Sequence, residues 1–268
     1  ASFVLPISNP ANLVVFGKDM PPLAVWLRLF ALPSVVAIVV TYLALRLTQR
    51  RALDAPVAEI GEISPLTFAG KLAAWGIVMT AIVLLTASAL GSALGLPTFV
   101  AGAAVTMLVL LLGRQSPWPV LRDISWSVLP LVAGLFILVE GLNRTGVLPA
   151  LAGILKRAAA ASPQITAWIA GVVAAIASNL VNNLPVGLIA ATIRQTAQVP
   201  AEVTGAILIG VDLGPNLSVT GSLATILWLI ALRREGEHVG ALRFLRLGLV
   251  VMPPALVLSL LALSAMSR

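Results

Sequence analysis

The sequence predicts an all-α membrane protein, and three observations support that fold class. Apolar residues make up 59% of the 268 residues, charged residues only 10%, and the mean hydropathy is +1.05. Such a composition lies far outside the range of soluble domains. The apolar residues form runs long enough to cross a bilayer as helices. Polar and helix-breaking clusters interrupt three of these runs, which favours broken helices over uniform spans.

Composition also excludes several kinds of chemistry. The sequence has no cysteine, so a disulfide or a thiolate metal site is excluded within it. The net charge is +7, but Lys and Arg fall mostly in gaps between apolar runs, as the positive-inside rule predicts, and not on a nucleic-acid-binding face. The sequence contains neither a phosphate-binding Gly-Lys-Ser/Thr loop nor a nucleophile–base pair. We therefore expect no catalysis, no cofactor, no metal and no nucleic-acid partner.

Residues 1–47 hold a polar break followed by one apolar span from about Leu23 to Leu47. The polar segment 48–65 is predicted to be a cytoplasmic linker. The remainder, 66–268, is predicted to begin with scaffold spans within 68–142, namely 68–90, 97–112 and 125–142, with an interfacial loop over 114–123. An interfacial amphipathic helix over 146–161 and a hairpin over 163–198 should follow. A broken helix over 203–232 and a last span over 245–263 should complete the sequence. The chain begins inside a structured motif, so we expect a further N-terminal part upstream.

The stretch Ser-Asn-Leu-Val-Asn-Asn-Leu-Pro at 178–185 is the strongest polar break. It lies between two apolar segments, 163–177 and 185–198, that are each too short to cross a bilayer comfortably, which predicts a re-entrant helical hairpin with this stretch at its tip. An unpaired backbone group in lipid costs several kcal/mol, so irregular backbone survives there only inside protein or beside a water-filled cavity. The alternative is that these Asn side chains simply hold helices together.

The other two breaks form an apparent repeat. The pattern Asn-Leu-x-Val-x-Gly occurs at 12–17 and again at 216–221, and each copy precedes a span that opens with Leu-Arg-Leu. With loop charges orienting the two spans in opposite directions, this predicts inverted repeats whose broken helices meet near the membrane midplane. The hairpin of the first repeat would then lie upstream of residue 1.

Broken helices aim free backbone N–H and carbonyl groups at the membrane centre, where Asn, Ser and Thr add donors and acceptors without fixed charge. Such a site suits a small oxygen-rich solute, a sodium ion, or both. The predicted substrate-binding residues are Ser178, Asn179, Asn182 and Asn183 at the hairpin tip, Asn216, Ser218, Thr220 and Ser222 in the third break, and Ser8, Asn9 and Asn12 in the first break.

Two carboxylates, Asp212 and Glu140, lie within apolar segments. Because an ionisable group in a membrane is costly, both are candidates for proton or ion coupling. The alternative for Asp212 is capping or an ion pair with Arg194. The alternative for Glu140 is a water-exposed helix end near Arg144.

The hairpin tip at 178–185, together with Gly-Pro-Asn at 214–216 and Gly-Ser-Leu-Ala-Thr-Ile-Leu-Trp at 221–228, resembles the arsenite/antimonite efflux permeases. That family belongs to the ion transporter superfamily that also holds the divalent anion/sodium symporters. The resemblance covers the whole sequence, with Ser-Asn-Pro-Ala-Asn at 8–12 matching the break of the first repeat. Asp212 departs from the family pattern, since many relatives have Asn there.

The resemblance implies a secondary transporter of the bacterial inner membrane, a scaffold domain that often dimerises, and a transport domain that moves like an elevator. It implies proton-coupled export of trivalent arsenic or antimony hydroxides, assisted in some systems by a separate cytoplasmic ATPase. Two alternatives stay open. One is a sodium/proton antiporter or sodium-coupled anion transporter of the same superfamily, and the other is a non-transporting membrane partner of a soluble ATPase bound at 48–65 or 233–243.

Overall fold

The structure, a computed structural model, describes residues 1–54, 65–124, 126 and 128–266, and within these ranges it contains helices and no strand. The helices are α1 (Pro10–Phe16), α2 (Leu23–Thr48), α3 (Arg50–Leu53), α4 (Phe68–Ala89), α5 (Gly95–Leu112), α6 (Pro117–Asp123), α7 (Val128–Arg144), α8 (Val147–Ala161), α9 (Pro163–Val181), α10 (Asn183–Ala197), α11 (Ala201–Leu213), α12 (Leu223–Arg234) and α13 (Ala241–Met266). Short 3₁₀ turns occupy Pro6–Ser8, Gly17–Asp19 and Gly214–Leu217.

Five of the described helices, α2, α4, α5, α9 and α13, are long and apolar enough to cross a membrane. Helices α7 and α8 would supply a sixth span if they counted as one, but they meet at an angle of 73°. That bend fits the predicted division into a span and an interfacial helix. The all-α membrane class predicted from composition is therefore confirmed, while most of the predicted linker 48–65 lies outside the described residues.

Several helices begin where a capping side chain precedes proline. Asn9, Ser116 and Ser162 each accept a hydrogen bond from a first-turn backbone N–H, and each is followed by a proline at the first helical position. This is the combination that favours helix starts, because proline lacks the N–H that would be unpaired there. At Ser116 the combination starts α6, so most of the segment 114–123, which was predicted as an interfacial loop, is helical.

Helices α2 and α13 pack against each other and run antiparallel. Ser259, in the second half of α13, donates to the carbonyl of Pro33, in the first half of α2, over 3.2 Å. At the other end, Thr48 shares a pocket with Leu242 at the start of α13. The two final spans therefore have opposite directions, as the inverted-repeat prediction requires.

The half-helices after the first and third breaks also point to opposite ends of the molecule. Helix α1 leads from its cap at Asn9 towards the start of α2, whereas α12 leads from its cap at Ser222 towards the start of α13. The two caps have nearly the same extended backbone, with φ of −147° and −144°. The predicted repeat alignment is wrong in register, because Asn12 lies after the cap inside α1 while Asn216 lies before the cap in a 3₁₀ turn.

Helices α9 and α10 form a hairpin whose tip is Asn182. At the open end of the hairpin, Ala197 at the end of α10 lines one small pocket with Ala160, which is at the end of α8 and next to the start of α9. Helix α9 extends four residues beyond the predicted Ala177 and is long enough to span by itself. Within this extension Ser178 and Asn179 each donate to the carbonyl four residues earlier, so neither side chain leaves its amide or hydroxyl donor unpaired.

The hairpin packs most closely on α11, which runs parallel to α9. A Cβ added at Gly171 would lie 2.9 Å from the carbonyl oxygen of Ala206, and one at Gly210 would collide with the backbone of Gly171. Gly214 approaches Ala175 in the same way. Small residues thus let the two backbones touch, which is how helices gain packing energy in lipid.

The helix ends that flank the arginine-bearing loops lie on one side of the molecule. A Cβ on Gly113, after α5, would lie 3.1 Å from Ala69 at the start of α4. Gly91, at the opposite end of α4, lies near Pro22 before α2, so Ala69 belongs to the end where α2 finishes. This is the common side that the charge pattern predicts for these loops.

Candidate functional site

The candidate site lies where five helix ends meet. Two of them are the C-terminal ends of helices and three are N-terminal ends. Helices α9 and α11 end at Val181 and Leu213, and helices α1, α10 and α12 begin after their caps at Asn9, Asn182 and Ser222. Ending helices present free carbonyl groups and beginning helices present free N–H groups with a partial positive charge. The meeting point therefore offers both donors and acceptors, and Asp212 is the ionisable side chain that the described residues place there.

The hairpin tip is joined to the third break by direct hydrogen bonds. Asn179 Nδ2 donates to the carbonyl of Gly214 over 2.7 Å. This bond gives a partner to a carbonyl at the end of α11. Asn182 Nδ2 donates to the Thr220 carbonyl over 2.9 Å, and the backbone N–H of Asn183 donates to the Gly221 carbonyl over 2.9 Å. The hydroxyl of Ser218 donates to the Asn179 carbonyl in return.

Asp212 links the first break to the third. It is 5% exposed, and its Oδ1 accepts from Asn9 Nδ2 over 2.7 Å. Asn9 Nδ2 also reaches the hydroxyl of Ser2, and Asn9 Oδ1 accepts from the N–H of Ala11. The contact spans the two predicted repeats, so a change at Asp212 acts directly on the start of α1.

Backbone strain is concentrated at the hairpin tip. Asn182 has φ of 79° and ψ of 152°, a combination that residues other than glycine rarely adopt. Its side chain supports this geometry, because Oδ1 caps α10 by accepting from the N–H of Leu184 while Nδ2 holds Thr220. Strain held in place by surrounding contacts is typical of functional sites.

Three buried side-chain oxygens at the breaks have no hydrogen-bond partner among the described residues. They are Oδ1 of Asn12, Oδ1 of Asn179 and Oδ2 of Asp212. Each of these side chains uses its other polar atom within the protein, as Asn12 does by donating to the carbonyls of Ser2 and Leu5. Buried acceptors without donors are costly, and the described residues supply no donor to any of these oxygens.

Four of the predicted site residues differ in exposure and in how their polar groups are bonded. Ser8 and Asn216 are exposed, and the Ser8 hydroxyl accepts from the N–H of Leu5. Ser178 is fully buried and its hydroxyl is bonded within its own helix. Asn183 is buried and is tied to the third break by its backbone.

Glu140 lies apart from this hydrogen-bonded cluster. Its Oε1 accepts from Arg144 Nε over 2.8 Å, and about half of its side chain is exposed. This is the alternative arrangement of a water-exposed helix end. A coupling role for Glu140 stays a prediction, and no hydrogen bond within the described residues connects it to the breaks.

Arg194 was predicted as a candidate partner of Asp212, but the structure pairs it with another carboxylate. Its Nη2 donates to Asp19 Oδ2 over 2.8 Å and to the carbonyl of Phe16 over 3.1 Å, and the guanidinium lies 5.6 Å from the Phe16 ring centre. Arg194 thus fastens the end of α10 to the end of α1. Sequence reasoning missed this contact because Asp19 is distant in sequence and lies in an ordinary polar loop.

The packing of α11 was also missed, although a signal was present. Gly210 and Gly214 form the Gly-x-x-x-Gly spacing that allows close helix contact in membranes. Both lie against α9 through the backbone. That packing brings the end of α11 to the hairpin tip, where the carbonyl of Gly214 accepts from Asn179.

Together the fold and these contacts define an all-α membrane protein built from broken helices and a helical hairpin. Residues 1–213 match the citrate transporter family, CitMHS. The chain therefore belongs to that family, and it is an integral membrane protein of the bacterial inner membrane.

Curated relatives are named "Arsenical pump membrane protein". Those of Yersinia enterocolitica, Escherichia coli K12 and Shigella flexneri are each 26% identical to the chain over 179 residues. The alignment covers 64% of this chain and 42% of each relative, so the chain spans less than half the length of these proteins. No solved structure matches the chain.

Proposed function

We propose that the protein to which this chain belongs exports trivalent arsenic or antimony hydroxides across the inner membrane, coupled to protons. The observation that supports this most is the set of unpartnered buried oxygens on Asn12, Asn179 and Asp212. A neutral trihydroxide presents O–H donors, which is the complement that such acceptors lack. Recognition of this kind needs hydrogen bonds and no thiolate, in keeping with a chain that has no cysteine.

Asp212 is the proposed coupling group. A carboxylate that is almost fully buried costs several kcal/mol to hold ionised unless it is well paired, and only Oδ1 has a donor within the described residues. Uptake of a proton removes that cost. Because Asn9 bonds Asp212 directly, a change of protonation alters the contact between α11 and the start of α1.

The second candidate is sodium-coupled transport of citrate or another carboxylate. The family's description favours it, and oxygen ligands such as those at the breaks also suit Na⁺. However, no Lys or Arg occurs within 6–12, 178–185 or 214–222, and Arg194 already pairs with Asp19. A multiply charged anion would require cationic partners at the breaks. The neutral metalloid therefore matches these residues better.

Resistance of arsenite-sensitive cells tests the proposal. Cells that express the complete protein should grow at arsenite concentrations that stop the parent strain, and Asp212→Asn should abolish that gain. Glu235→Gln is the matched control, because it neutralises an exposed carboxylate at the end of α12. Full resistance with Asp212→Asn at equal expression would remove Asp212 from the mechanism, and no resistance with the wild type would favour the carboxylate alternative.

Two partner predictions complete the proposal. A soluble ATPase would dock on the loops at 48–65 or 233–243, and a homodimer would form through the scaffold spans. Helix α5 supports the second, because its 18-residue apolar segment has no buried residue in the single chain.

A further inference from the structure

A pocket separate from the candidate site lies at the arginine-bearing end of the molecule. It is at the ends of α12 and α13 that are away from the polar breaks. It has a volume of about 830 Å³ and is bounded by the end of α2, the last turns of α12 and the first turns of α13. The transport proposal makes no use of it. Its lining changes from charged at the aqueous end to apolar along the two helices.

The charged end is formed by Arg243 and Arg246, which are three positions apart on α13 and so lie on the same face. Both are exposed, and neither forms an ion pair with any residue in the described part of the chain. Glu237 also lines the pocket, and the carbonyl of Glu237 lies 3.1 Å from Nδ1 of His238. The two arginines outweigh this single described acid, which leaves the pocket positive.

The other wall is apolar. Trp228 and Leu232 come from α12, and Leu247 and Val250 come from α13. Trp228 and Val250 are 48% and 47% exposed, so this wall is open and not filled by the protein.

We propose that this pocket binds one anionic phospholipid of the bilayer, with its phosphate at Arg243 and Arg246 and an acyl chain along Trp228 and Val250. Basic pockets between membrane helices bind anionic headgroups through the same combination of guanidinium and phosphate. The apolar wall selects a lipid over free phosphate, since a soluble anion would leave that wall unoccupied. The lipid then contacts α12 and α13 as well as the loop 235–240 that connects them.

Native mass spectrometry of the complete protein in detergent tests this site, with phosphatidylglycerol as the probe and phosphatidylcholine as its uncharged comparison. Wild-type protein should bind one phosphatidylglycerol more tightly than any phosphatidylcholine. The double variant R243Q/R246Q should weaken that binding about 30-fold, as expected when two cationic contacts are lost. R233Q/R234Q is the matched control, because it removes two neighbouring exposed charges that do not line the pocket.

A third variant, Val250→Trp, fills the apolar wall and keeps every charge, so it tests the site even if R243Q/R246Q fails to fold. It should also weaken phosphatidylglycerol binding, and 10 mM inorganic phosphate should not compete. Equal losses in the two double variants would mean general surface attraction and overturn the proposal. So would equal binding of the two lipids, unchanged binding in Val250→Trp, or displacement of the lipid by phosphate.

Discussion

At the scale of single residues, the breaks combine fixed structural contacts with unused acceptors on the same side chains. Asn179 is the clearest case, because Nδ2 holds the carbonyls of Ala175 and Gly214 while Oδ1 has no described partner. Asp212 is divided in the same way between Asn9 and an unpaired Oδ2. One polar atom of each residue sets the geometry, and the other is the acceptor that the proposed substrate would use.

Asn179→Ala should therefore reduce both stability and substrate binding. The loss of the bonds to Gly214 and Ala175 should lower the free energy of unfolding by about 1 to 2 kcal/mol. The Michaelis constant for arsenite should rise, because an acceptor of the substrate is removed. Thermal unfolding and transport kinetics of the complete protein measure the two effects. Gln195→Ala, at an exposed position of α10, is the control, and equal changes in both variants would contradict the role of Asn179.

At the scale of elements, the site depends on backbone contact between α9 and α11. The contact places the end of α11 beside the hairpin tip, and it requires glycine wherever a Cβ would meet the facing backbone. The parallel arrangement also explains why both helices end at the same level. Their free carbonyls are then available to Asn179 and to other donors at the breaks.

Gly210→Ala should disrupt this contact. The added Cβ would collide with the backbone of Gly171, so α11 must move away, and the free energy of unfolding should fall by about 1 to 3 kcal/mol. Gly141→Ala is the matched control, since a Cβ there has no atom within 4 Å. Thermal melts of the two variants in one detergent decide the matter. A melting temperature of Gly210→Ala equal to that of Gly141→Ala would contradict the packing described here.

The pair formed by Arg194 and Asp19 should couple the ends of α10 and α1. Arg194→Gln should destabilise more than Asp19→Asn, because it also leaves the carbonyl of Phe16 without its donor. A double-mutant cycle should give a coupling of about 0.5 to 1 kcal/mol, a small value because Asp19 is largely exposed. Arg194→Lys should not restore stability, since a single ammonium cannot reproduce the guanidinium geometry. A coupling of zero would contradict the pair.

At the scale of the whole molecule, much of the fold was predictable because lipid imposes simple rules. Apolar runs predict helices, and polar clusters within them predict breaks, as Asn182 and Ser222 illustrate. The register of the repeat was not predictable from shared letters. Asn12 and Asn216 occur in matching sequence patterns, yet only the backbone reveals that Asn9 and Ser222 are the equivalent caps. Long-range pairs such as Arg194 and Asp19 depend on how the helices pack, and packing leaves no signal in the local sequence.

The central claim is that the meeting point of the broken helices binds a neutral hydroxylated metalloid and that Asp212 couples its movement to protons. Flux into proteoliposomes that contain the complete protein tests it most directly. An imposed pH gradient should drive arsenite flux without sodium, and Asp212→Asn should reduce that flux at least tenfold, a loss of about 1.4 kcal/mol or more. Sodium-dependent citrate flux with no movement of arsenite, or unchanged arsenite flux in Asp212→Asn, would contradict the claim.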